Sequence, residues 1–365
     1  MRLLLLPTFV VSLMLTGCAL SPTAEPTPQV GVTIQGRVHG GQQPVVGAAI
    51  YLYAAGTSGY GGSSISLLNN NVQYNNPSNS GQDANGNYYV TTDSNGDFTI
   101  SGDYTCTAGQ QVYLYAIGGN PGYGGTNPVA GFLAILGNCP AGGNFATTTP
   151  FVFINEVSTI AAAYAMAGFA TDATHVSSSG TVLAKLGIAN AFANAAQLAN
   201  ISTGAALATT PNGNGTVAQN VINTLANILA ACVNSNGQII GGAEQSNCYI
   251  LFYNDPNSSF QYPSDTATAA IYMAQNPGNN PSTLFQLQSA VASPYQPSAS
   301  GLNDLTVGIQ YSGGSLNGSN AIAIDGSGNA WVVSNNSITV LSPTGGFLST
   351  PGTGYKGGGV DGDSE

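Results

Sequence analysis

Midway along the chain the apolar residues change their period, and this constrains the fold more than any other feature. Up to Phe151-Val152-Phe153-Ile154 they alternate as in strands, and beyond Asn155 they recur with helical spacing. Asn155 is a good N-cap and Glu156 suits the first helical turn. A helix over 157–170, with Ala, Met, Tyr and Phe on all sides, is expected to be buried. Others are expected over 181–200 and 216–233. A fourth, capped by Ser264-Asp265-Thr266, should run to Gln275, and a fifth should begin at Pro281. After residue 305 the pattern turns β again, with a hairpin over 321–333 and another strand and turn over 337–346. The fold class is therefore multidomain α+β, with a β region over 32–150, a helical region over 151–295 and β-hairpins over 296–365.

In the first region, Val32-Thr33-Ile34-Gln35-Gly36-Arg37-Val38 alternates, a turn follows at Gly40-Gly41-Gln42, and a second strand ends in Tyr51-Leu52-Tyr53. Residues 88–92 and 98–100 flank Asp93-Ser94-Asn95-Gly96-Asp97, whose Asn-Gly tolerates the positive φ of a tight hairpin. That segment and Asp83-Ala84-Asn85-Gly86-Asn87 look like calcium-loop fragments. They lack the helices and the twelfth-position Glu of an EF-hand, so they are expected to be turns. A Gly/Asn/Ser-rich insertion over 56–87 carries Tyr60 and Tyr74. Together the strands read as an all-β sandwich.

Three stretches carry resemblances. Gly36-Arg37-Val38, Pro44-Val45-Val46-Gly47-Ala48-Ala49-Ile50 and residues 92–100 resemble the carboxypeptidase regulatory-like, or transthyretin-like, β-sandwich, an Ig-like structural and ligand-presenting module. Ile324-Asp325 followed by Gly328-Asn329-Ala330-Trp331-Val332 resembles one blade of an NHL-type or streptogramin-lyase-like β-propeller. A blade does not bury its faces alone, so no propeller function carries over whole. Leu15-Thr16-Gly17-Cys18, after Arg2 and the apolar run over 3–15, resembles a bacterial lipobox. That run is shorter than the about 20 residues that span a bilayer. The resemblance implies a cleaved signal over 1–17, lipidation of Cys18, and a stiff tether over 18–31 carrying Pro22, Pro26 and Pro28. Ala19 resembles the outer-membrane sorting pattern, so the expected location is the cell envelope, with the membrane reached through the lipid anchor.

Only 5% of residues are charged, with 4 Lys or Arg against 15 Asp or Glu, so no basic patch exists for nucleic acid. Setting Cys18 aside, four cysteines remain: Cys106, Cys139, Cys232 and Cys248. An oxidising compartment favours two disulfides, and three connectivities are open. Cys106 with Cys139 and Cys232 with Cys248 is the simplest pairing, each within one region. The cysteines have no CxxC spacing and His39 and His175 stand alone, which argues against zinc. Glu156, within Asn155-Glu156-Val157-Ser158-Thr159, is the best candidate for a buried acid, but no second carboxylate, His or Lys partners it in the pattern, so capping is the expected role. His175 has serines around it but no Gly-x-Ser-x-Gly elbow.

The expected function is that of a non-enzymatic stalk or interaction module, with no cofactor, meeting an extracellular glycan or protein. Tyr60, Tyr74 and Tyr123 on Gly/Asn-rich loops are the candidate sugar-stacking residues. A truncated relative of a propeller enzyme such as a lyase, and a small-ligand carrier with an apolar cavity among the helices, are the alternatives.

Overall fold

The computed structural model describes residues 34–356 except 102, 124, 150 and 291. The signal, Cys18 and the tether lie outside the described residues. Strand Ile34–Gly40 is the centre of a first sheet, paired antiparallel with Asp97–Ile100 and parallel with Phe151–Ile154. A second sheet runs in the order Ser80–Gln82, Tyr88–Thr91, Ala49–Ala54, Gln111–Ile117 and Gly131–Asn138. Ile34, Val38, Phe98 and Val152 from the first sheet and Ile50, Leu52, Leu114 and Phe132 from the second form one buried cluster.

The second sheet is covered on its other face as well. Tyr51, Tyr53, Tyr113, Tyr115 and Leu133 alternate with that cluster and join the core built by the helices. This arrangement explains strands such as Gln111–Ile117, buried along almost their whole length instead of at every second residue. Among the described residues the fold is mixed α+β, with seven helices and several separate sheets, none closed. No helix there is long and apolar enough to cross a membrane.

The helices are α1 (Asn71–Asn75), α2 (Glu156–Met166), α3 (Val182–Leu198), α4 (Gln219–Val233), α5 (Asn247–Tyr253), α6 (Thr266–Gln275) and α7 (Pro281–Leu287). Helix α2 ends earlier than its composition suggests, because Ala170–Asp172 turns back to pair with His175–Val176. Helix α4 starts at Gln219, not Thr216, because Gly215–Val217 pairs with Ile309–Tyr311 across more than 90 residues of sequence, which no local pattern announces. Helix α1 arises within the Gly/Asn/Ser-rich insertion over 56–87, and α5 lies between the helix expected over 216–233 and the one capped by Asp265. Disulfides join Cys106 to Cys139 and Cys232 to Cys248, the second tying α4 to α5. At the C-terminal end Ser319–Ile324, Ala330–Ser334 and Ser337–Leu341 form a three-stranded antiparallel sheet.

One edge needs explaining. Gly131–Asn138 borders the second sheet, so its outward backbone groups lack a neighbouring strand. Side chains at two helix N-termini supply the partners. Thr159 Oγ1 accepts from the Leu133 N–H at 3.0 Å, and Ser158 Oγ donates to the Leu133 carbonyl at 2.8 Å. Thr266, at the start of α6, does the same for Gly131, accepting at 2.9 Å and donating at 2.7 Å. The same Ser158 completes a capping box with Asn155, whose amide reaches on to the Gly204 carbonyl. The strand edge is thus satisfied by hydroxyls at two helix starts, while the Asn155 amide and the Asp265 carboxylate cap those helices.

Replacing Thr159 by Val keeps the shape and removes the acceptor, leaving the Leu133 N–H buried and unpaired. The variant should lose about 1–3 kcal/mol in urea unfolding, with unchanged m-value; a loss under about 0.5 kcal/mol, within the scatter of neutral substitutions, would show that the edge is satisfied otherwise.

Candidate functional site

Among the described residues, two places where polar side chains meet beside open space bear on the residues singled out above. The first surrounds Glu156, the acid singled out by the sequence. It is fully buried, and both its oxygens accept from the Gly41 N–H, at 2.9 and 3.0 Å. The Tyr295 hydroxyl donates to it as well. Tyr295 is held by reciprocal bonds with the Asn227 amide of α4. Burial pushes the Glu156 carboxyl up to about 7, although these bonds favour its ionised form. A cavity of about 460 Å³ lies alongside, lined by His39, Gly41, Asn155 and Tyr295. Burial holds the His39 imidazole down to about 4, so it is neutral. Glu156 does not itself line that cavity, and its partners clamp the first turn, α2 and α4 together, so the geometry makes it a structural junction.

The second place is built by a tyrosine grid. Strands Ala49–Ala54 and Gln111–Ile117 each carry Tyr-Leu-Tyr, and their register sets Tyr51 opposite Tyr115 and Tyr53 opposite Tyr113. Because side chains alternate across a strand, all four rings fall on the face away from the inter-sheet cluster. Ring centroids of Tyr51 lie 5.8 Å from Tyr53, 6.2 Å from Tyr115 and 5.4 Å from Tyr89.

Tyr113 is the satisfied member, donating to the Ala173 carbonyl at 2.9 Å and meeting Ser64 Oγ at 2.7 Å. Tyr53 and Tyr115, only 4% and 7% exposed, line a cavity of about 360 Å³ and make no hydrogen bond among the described residues. Burial, then the Asp83 carboxylate, raises the Tyr51 phenol, and burial raises those of Tyr53 and Tyr115, so all three are neutral donors.

The rest of the wall is polar apart from Ile117. Asp83 and Asn85 come from the first Asx-type turn, where Asp83 Oδ1 accepts from the Asn85 and Asn87 N–H groups at 2.9 and 2.8 Å. Thr174 and His175 close the other side. His175 Nδ1 lies 2.9 Å from both oxygens of Asp172. Burial would raise the Asp172 carboxyl, but bonds from His175 and Thr174 outweigh it and hold it low. No serine meets His175 Nε2 among the described residues, and no cluster of three His, Cys, Asp or Glu there could hold a metal. Asp83 lines the pocket and no Lys or Arg does, which disfavours an anionic ligand.

The remaining expectations fall elsewhere. Asp93 forms a hairpin turn, accepting from the Asn95 and Asp97 N–H groups. Tyr60, Tyr74 and Tyr123 are exposed but make no ring contact with one another among the described residues; Tyr60 donates to the Ala170 carbonyl. The apolar cavity nearest the helices, between strand Gly131–Asn138 and α3, measures only about 170 Å³, below the about 300–1,000 Å³ of ligand pockets. The pocket tyrosines had a sequence signal, the repeated Tyr-Leu-Tyr, but alternation alone does not say which face is covered. Compared with protein-family models, curated proteins and solved structures, the chain matches none of them.

Glu156 has a folded-state value raised above its ordinary 4.5, so its protonated form is the one the fold favours. Its contribution to stability is therefore full below about 4.5 and lost as pH rises to about 7. Asp255 and Asp265 are shifted in the same direction, so the difference between the wild type and Glu156→Gln isolates the group. Urea unfolding across that range should fall less steeply with pH in Glu156→Gln, and parallel curves would contradict the raised value.

Proposed function

We propose that this chain is a non-enzymatic cell-envelope lipoprotein, anchored through Cys18 at the outer membrane, that binds a neutral saccharide in the tyrosine pocket. The observation that carries the reading is a polar cavity lined by Tyr53 and Tyr115, whose hydroxyls make no hydrogen bond among the described residues. A sugar offers ring hydroxyls for these phenols and a C–H face for the aromatic rings. Asp83 and the Asn85 amide add directional contacts at the rim. The two-sheet body is read as the transthyretin-like β-sandwich, presenting this pocket above the tether. The C-terminal sheet is read as a blade-like unit carried on the same scaffold.

Isothermal titration with neutral mono- and disaccharides tests the pocket. Tyr53→Phe and Tyr115→Phe each remove one hydroxyl while keeping the ring, and should weaken binding by about 0.5–1.5 kcal/mol, roughly twofold to twelvefold. Absence of binding across a panel of glucosides, galactosides, mannosides, xylosides and N-acetylhexosamines would remove the saccharide reading.

A further inference from the structure

An aromatic surface far along the chain from the pocket-lining strands has no role in the fold described above. Tyr249 and Tyr253, one helical turn apart on α5, stack at 5.2 Å, and Tyr262 from the following loop stacks on Tyr253 at 5.3 Å. Tyr253 is 52% exposed and Tyr262 54% exposed, and no hydrogen bond engages the three hydroxyls among the described residues. Phe260 stands between them in sequence and is 84% exposed. Its turn is closed by Asn257, whose carbonyl accepts from the Phe260 N–H and whose side chain accepts from the Ser259 and Gln261 N–H groups.

Phe260 has φ +60°, a conformation that bulky residues rarely adopt. In a chain with 49 glycines, most positive-φ turn positions among the described residues are Gly; the exceptions are Phe260, Asn280 and Ser315. A large ring is thus held in water on a backbone that disfavours it, which points to use of the ring. The base is rigid, since the Cys232–Cys248 disulfide fixes the start of α5 beside Tyr249.

We propose that Phe260 and Tyr262 form a second saccharide platform, which takes a neutral polysaccharide chain face-on while the tyrosine hydroxyls meet the edges of its rings. The inference rests on the saccharide reading of the pocket and extends it from a single ring to a chain. Helix α6 links the two places: Tyr272 meets Asn257 at the base of the Phe260 turn, and Gln275 meets Tyr60, three residues before the pocket-lining Ser63. Aromatic faces edged by unpaired hydroxyls match pyranose rings, which are apolar above and below and polar around the rim. A lipid surface fits less well, because interfacial docking draws on Lys and Arg, and none occurs between residues 236 and 264.

The test is native affinity electrophoresis of the purified full chain in gels containing xylan, galactomannan, mixed-linkage β-glucan or dextran. The wild type should be retarded by at least one of them. Phe260→Ala and Tyr262→Ala, both at exposed positions, should weaken that retardation at least fivefold while leaving disaccharide titration of the pocket unchanged. Tyr53→Phe should show the opposite pattern.

Retardation that survives Phe260→Ala with Tyr262→Ala overturns the platform, as does a wild type that none of the four gels retards. Phe260-dependent co-sedimentation with phosphatidylcholine vesicles, without gel retardation, overturns it in favour of a membrane contact. Gel retardation that depends on Phe260, with no disaccharide binding, supports the platform and fails the pocket.

Discussion

Covering one strand edge organises the fold. Gly131–Asn138 ends the second sheet in the interior, where unpaired backbone groups are costly. Another strand could have covered it, as in a larger sheet. Instead, hydroxyls of Ser158, Thr159 and Thr266 bond Leu133 and Gly131, so α2 and α6 must begin at fixed heights along the strand. With those helix starts fixed, α2 lies against the strand and α3, α4 and α6 pack around it. The helical part is thereby docked through directional bonds as well as apolar contact.

That docking also creates the pocket. A sheet with one free face would expose Tyr51, Tyr53 and Tyr115 as an ordinary polar-tipped surface. Here the helices, the 172–176 hairpin and the insertion close over them, so the rings are buried while the hydroxyls keep access to a cavity. The grid is rigid because its members are cross-strand neighbours. Packed rings with neutral donors would lose little conformational freedom on meeting the proposed saccharide.

The near absence of charge is consistent with this organisation. Of the few cations, Arg37 is bonded to Asp97 at 2.6 Å, on the first sheet and away from the pocket lining. Several acids are buried without a cation: Glu156 is satisfied by a backbone N–H and a phenol, and Asp265 caps α6 through the Ala267 and Thr268 N–H groups. Burial raises both carboxyls, so neutral hydrogen bonding replaces ion pairing in holding the interior. The surface that remains is amide- and hydroxyl-rich.

Much was legible locally. Alternation located the strand at Ile34–Gly40, Asn155 and Asp265 announced α2 and α6, and the Asx turns at Asp83 and Asp93 declared themselves as turns. Such features depend on residues within a few positions of one another, and the sequence by itself determined them. The tertiary structure alone decided that both faces of the second sheet are covered, that α4 yields its first residues to a strand, and that Glu156 meets Gly41 and Tyr295, 115 and 139 positions away. It also decided which tyrosines line a common cavity: the exposed Tyr60, Tyr74 and Tyr123 stay apart, while the paired Tyr-Leu-Tyr strands border one. The physical reason is that a period specifies which residues share a face, whereas only long-range packing specifies what that face meets.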